Sequence, residues 1–202
     1  MQLRSAILSS LCCWVTAAGA ASLEVTVSDE KNQPLLGAVV FLESPEAARA
    51  VKPLIGAEVA QRDKAFQPDL LVVTKGSAVH FPNRDTVRHH VYSFSPAKRF
   101  ELKLYIGTPA EPVVFDQAGV VTLGCNIHDQ MLGRVIIVDT PYYGSSGANG
   151  KVTLKDVPPG NYRLRVWHAR LPESAGASDQ ALRLGATATP LSITLKGLRP
   201  GE

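Results

Sequence analysis

Cys125-Asn126-Ile127-His128-Asp129-Gln130-Met131 gathers a thiol, an imidazole and a thioether within seven residues. Soft sulfur combined with imidazole suits copper, and two His, one Cys and a weak axial Met are the donors of a copper site built for electron transfer. The stretch supplies three of these four donors. The fourth, a second imidazole, must come from elsewhere, and the adjacent pair His89-His90 in Val87-Arg88-His89-His90-Val91 is the candidate. Whether these two stretches meet decides how the chain is read.

Cysteine use strengthens the case. The chain has three Cys and two Met. Met1-Gln2-Leu3-Arg4 is a short basic start, Ala6 to Ala17 is mostly apolar, and Ala18-Gly19-Ala20 offers a small-x-small cleavage site. Residues 1–21 are therefore expected to be a secretory signal peptide, giving a periplasmic protein with no membrane span in the mature chain. Cys12, Cys13 and Met1 leave with that segment. The only Cys and the only Met that remain are Cys125 and Met131. Exported proteins usually pair their cysteines, so an unpaired Cys125 calls for metal ligation or deep burial. Charge is nearly balanced, 21 basic against 18 acidic residues, which argues against nucleic-acid binding.

The remaining pattern is short strands and turns. Leu23–Val27 alternates apolar and polar, Asp29–Pro34 is a turn, and Gly37–Leu42 is a second apolar run, so 22–43 is expected to form a hairpin. One helical turn is expected within Ser44–Pro53. Ala57–Phe66 is read as an edge strand. Further strands are expected over 69–74, 78–81, 91–94, 100–105, 113–115, 120–123, 134–138, 151–154, 161–167 and 191–195, with loops over 142–150 and 172–179. Many strands and no long helix predict an all-β sandwich or barrel.

From Ala57 to Asp139 the order of features resembles the cupredoxins, the small blue copper proteins of the plastocyanin and amicyanin type. Phe66-Gln-Pro68, Val79-His-Phe-Pro-Asn-Arg-Asp85, His89-His90-Val91 and Cys125-x-x-His128-x-x-Met131 before Gly133 carry that resemblance. It implies a Greek-key β-sandwich over 54–140 holding one type 1 copper, with His89, Cys125 and His128 in the trigonal plane and Met131 axial. Alignment favours His89 over His90, and Asn83 and Asp85 are expected to brace the ligand loop. The flanks, 22–50 and 145–202, resemble a carboxypeptidase-regulatory-like, transthyretin-type β-sandwich, on Glu24-Val-Thr-Val, Pro34–Val40 and Lys151–Val166. The copper unit is then inserted in, or packed against, this second sandwich.

The resemblance implies a non-enzymatic carrier of single electrons, with a redox protein such as a c-type cytochrome, a dehydrogenase or an oxidase as partner. A copper carrier, sensor or assembly module is the alternative. Five His (80, 89, 90, 128 and 168) are too few for a multicopper oxidase, which needs many paired imidazoles besides the type 1 site. A purely structural sandwich would leave the ligand pattern unexplained. His80 is expected to be solvated, His168 structural, and Trp167 and Tyr162 core residues. Arg84, Arg88, Lys98, Arg99 and Arg134 are expected to form either a basic rim or an ordinary solvated face.

Overall fold

A computed structural model describes residues 21–187 and 189–200. The leader expected over 1–21 lies, but for Ala21, outside the described residues. Among the described residues the chain is all-β, with one short helix, α1 (Pro45–Ala50), capped by the Ser44 hydroxyl, which accepts from Ala47 N–H at 3.1 Å. Among the described residues no helix is long and apolar enough to cross a membrane.

β1 (Ala21–Ser28) lies between β14 (Lys151–Val157), antiparallel, and β17 (Leu191–Thr194), parallel. Its alternation points Leu23, Val25 and Val27 into an apolar core. The opposite wall of that core is a four-stranded sheet, ordered β13 (Tyr143–Ser145), β2 (Val39–Glu43), β15 (Gly160–Trp167) and β16 (Ser178–Leu184). The expected 22–43 hairpin does not form, because β1 and β2 sit in different sheets. Val39 to Leu42 are buried on both faces of their strand, whereas β1 buries one face only. β1 is paired on both sides by β14 and β17, and β2 by β13 and β15, so neither strand has a free edge for the other. β13 and the first two residues of β16 fall in stretches expected as loops, and the rest of β16 carried no expectation; sheet pairing rather than side-chain pattern makes them strands.

The second sandwich has a five-stranded sheet ordered β6 (Leu70–Thr74), β12 (Leu132–Val138), β11 (Gly119–Gly124), β8 (His89–Ser93) and β9 (Phe100–Tyr105). β6 runs parallel to β12 and the other pairs are antiparallel. Facing it are β10 (Val113–Phe115), β7 (Ser77–His80) and β3 (Ala57–Glu58), with the hairpin β4 (Ala60–Arg62) and β5 (Ala65–Gln67) beside them. Residues 57–66 are thus three short strands, not one edge strand. Asp63 and Lys64 both take left-handed φ, 55° and 56°, and reverse the chain. The core between the sheets holds Phe66, Phe81, Phe115, Val121, Leu123, Val135 and Ile137, together with Cys125 and Met131.

β12 joins the two sandwiches. Val135 and Ile137 enter the second core, while Ile136 and Val138 turn the other way and meet Val39, Phe41, Trp167 and Leu171 in a third apolar cluster. The run Val135-Ile-Ile-Val138 and the run Val39-Val-Phe-Leu42 lack alternation because both faces of each strand are covered. Ile136→Ala is expected to cost about 2–5 kcal/mol of unfolding free energy, read from urea denaturation. A loss within about 0.5 kcal/mol would mean that this third cluster is not packed.

His168 closes the first sandwich. Its buried ring places Nε2 3.0 Å from the Leu36 carbonyl, and its Nδ1 accepts from Arg170 N–H at 3.1 Å. Burial, aided by the charge of Arg170 and opposed by the Leu36 hydrogen bond, lowers its pKa below the ordinary 6.5. A lowered folded-state pKa favours the neutral ring. Its contribution to stability is full above pH 6.5 and is lost as pH falls through the folded value. The urea midpoint should therefore fall on acidification below pH 6.5, and less steeply in His168→Asn; equal slopes would refute this.

Candidate metal centre

Three strand ends meet at one edge of the five-stranded sheet. His89 is the first residue of β8, Cys125 follows β11, and Met131 precedes β12. The register of β11 against β12 pairs Gly124 with Leu132, so residues 125–131 must close as a tight loop. Met131 N–H donates to the His128 carbonyl at 2.9 Å and Leu132 N–H to Gln130 at 3.1 Å. Two glycines permit the close packing around it. A Cβ on Gly124 would lie 2.7 Å from the Tyr92 ring, and one on Gly133 would lie 3.0 Å from Phe66.

Donor atoms of His89, Cys125 and His128 all lie within 4.8 Å of one another. Cys125 and His89 are buried, at 3% and 0% exposure, and His128 is half-buried. His89 Nδ1 is 3.9 Å from Cys125 Sγ. Thiolate and imidazole ligands reach a first-row ion at about 2.3 and 2.0 Å, and at trigonal angles that sets their donors about 3.8 Å apart. His128 Nδ1 is buried without a hydrogen-bond partner, a costly state for a polar atom unless it has an ion to bind. The donor set therefore fits a soft, thiophilic metal. Met131, 1% exposed, closes the loop in the same apolar cluster as Cys125.

The orientation of His89 is fixed from behind. Its Nε2 lies 2.7 Å from Asp85 Oδ2. An ionised carboxylate only accepts, so Nε2 carries the proton and Nδ1 presents its lone pair towards Cys125. Asp85 is itself tied down by N–H groups of Asp63 at 2.7 Å and Lys64 at 3.0 Å. Burial would raise the Asp85 pKa, but these donors and His89 together lower it below the usual carboxylate value. Asn83 continues the brace. Its Oδ1 accepts from Asp85 N–H at 2.9 Å, and its Nδ2 donates to the carbonyls of Val87 and Tyr105 at 2.9 and 2.8 Å. Next to the site, burial pushes the Tyr105 phenol up to about 12, against a hydrogen bond from Gln61 and with a smaller push from Cys125.

His90 takes the opposite direction. Its Nδ1 is 2.6 Å from Asn126 Nδ2, and its Nε2 lies 3.0 Å from a Glu101 carboxylate oxygen without hydrogen-bond alignment. It joins the upstream strand to the Cys125 loop and stands outside the three-donor group, which contains His89. His80 is half-exposed on β7, and His168 belongs to the first sandwich. Of the expected basic rim, Arg84 pairs with Glu58 and Lys98 with Asp116, while Arg88, Arg99 and Arg134 have no ion pair among the described residues. Two features lacked a sequence signal: the His90–Asn126 clasp and the seating of Tyr92 on Gly124. Each depends on which residues β8 and β11 bring face to face.

No protein-family profile and no curated protein matches the chain. Solved structures similar to part of it include a purple cupredoxin from Nitrosopumilus maritimus, 21% identical over 41% of this chain and 99% of that one, with a TM-score of 0.37. A reduced Cu(I) form of an amicyanin mutant is 23% identical over 49% of this chain and 98% of that one, TM-score 0.38. A copper-containing nitrite reductase from Thermus scotoductus is 19% identical over 56% of this chain and 28% of its own length, TM-score 0.39.

The bracing of His89 generates a test. Asp85→Asn preserves shape but removes the carboxylate that selects the Nε2–H tautomer, and should weaken Cu(I) binding about 10–100-fold in a chelator competition. Unchanged affinity would show that Asp85 does not set the ligand.

Proposed function

We propose that this chain carries single electrons through one type 1 copper held by His89, Cys125 and His128, with Met131 as the weak axial contact. The observation that carries the reading is the three-donor group, with a buried and unpartnered His128 Nδ1 facing a buried Cys125. Copper, when bound, supplies a one-electron couple. The residues of the chain supply the rest. Cys125, its only cysteine after residue 21, gives a soft thiolate inside an apolar cluster that excludes water. Asp85 and Asn83 hold His89 in one tautomer and orientation, so the ligands need little rearrangement when the charge changes. His128, half-buried and next to the exposed Ile127, is the ligand nearest solvent and offers a partner the shortest approach.

In this reading the unit over 54–140 is the copper domain, and 22–50 with 145–202 form the sandwich that carries it. The chain catalyses no bond change. The leader pattern supports a periplasmic location, where the partner is a redox protein such as a c-type cytochrome, a dehydrogenase or an oxidase.

The test is the absorption and EPR spectrum of the Cu(II)-loaded protein beside a Cys125→Ser variant. An intense visible thiolate-to-copper band with narrow hyperfine splitting, both lost in the variant, is the expected result. A colourless protein, or copper binding that survives loss of Cys125, would overturn the reading in favour of a copper module without redox traffic.

A further inference from the structure

A cleft of about 900 Å³ separates the two sandwiches where the third apolar cluster runs out. One wall comes from Tyr92, Phe94, Leu132 and Arg134 of the second sandwich, and the other from Phe41 and Trp167 of the first. Phe94 is 76% exposed, although its ring packs against Tyr92 in a tilted arrangement with centroids 5.1 Å apart and planes at 44°. An exposed aromatic side chain at the mouth of a crevice between two sheets, whose floor is the largely buried Phe41 and Trp167, suits a flat apolar ligand.

The charges of the cleft are unequal in their pairing. Arg165 is matched by Glu43 at 3.1 Å, and Arg199 donates to the carbonyls of Ala169 and Leu171. Arg134, half-buried on the wall, has neither an ion pair nor a side-chain hydrogen bond among the described residues. The one unpaired carboxylate of the lining, Glu173, is exposed on the loop between β15 and β16, where solvent and salt screen it. The cleft therefore carries net positive charge from Arg134 and Arg199, and of these only Arg134 has a guanidinium without partners, whose planar fork matches a carboxylate.

We propose that this cleft binds an aromatic carboxylate, its ring against Phe94 and Tyr92 and its carboxylate on Arg134. The site is separate from the copper ligands, yet it adjoins them. Tyr92 rests on Gly124, the residue before Cys125, so an occupant stacked on Tyr92 lies next to the thiolate-bearing loop.

The test is titration of the full chain with 2-naphthoate by calorimetry, followed by amide and indole chemical shifts. One-to-one binding is expected, with shifts at Gly124, Tyr92 and Trp167. Arg134→Gln and Phe94→Ala should each weaken it about tenfold. Phe94 is exposed, so its variant tests the site without endangering the fold. The neutral analogue 2-naphthylmethanol should bind at least tenfold more weakly. Absence of binding at millimolar ligand, equal affinity in both variants, equal affinity for the alcohol, or shifts confined to other surfaces would each overturn the proposal.

Discussion

The pairing of β11 with β12 is the constraint on which the rest depends. Gly124 opposite Leu132 fixes both ends of a seven-residue loop, and a loop so short has few ways to close. Cys125 must then point into the core, Met131 must return to it, and His128 must stand between them. The same strand, β12, presents Ile136 and Val138 to the first sandwich. One element thus positions the donors and anchors them to a second packed body. The gain is rigidity, since a strand buried on both faces cannot shift without disturbing two cores at once.

The upstream donor is positioned by a different means. His89 begins a strand, where the backbone alone would leave its ring free to rotate. The Asn83–Asp85 brace removes that freedom, and it does so through backbone N–H groups from the β4–β5 turn. The left-handed pair Asp63-Lys64 is therefore part of the site at one remove. It turns two N–H groups towards the carboxylate that orients the imidazole.

Legibility differed between the parts of the chain. Strands with one covered face, such as β1 and β7, show the alternation that a half-buried strand must have. The donor loop was legible because its residue types are rare in this chain and lie close together. The sheet partners of β1 and β2 were not legible. A turn after a strand reads the same whether the chain returns beside that strand or crosses to the opposite sheet, and only the long-range pairing of β1 with β14 and β17, and of β2 with β13 and β15, decides between them. The breaks in 57–66 were hidden for a related reason, since Asp63 and Lys64 carry no glycine signal for their left-handed backbone.

The sequence by itself determined the all-β class and the donor types gathered in one loop: a cysteine and a methionine six positions apart with an imidazole between them, and a second imidazole offered by an adjacent pair. Side-chain identity suffices for such statements. Which of His89 and His90 joins the group is a property of the tertiary structure. Neighbouring residues on a strand point to opposite faces, so the answer turns on which face of β8 meets the Cys125 loop. The stacking of two sandwiches about β12, the clasp between His90 and Asn126 and the cleft beside Trp167 belong to the same kind. Each arises where segments distant in sequence come together, and no local pattern records which segments those will be.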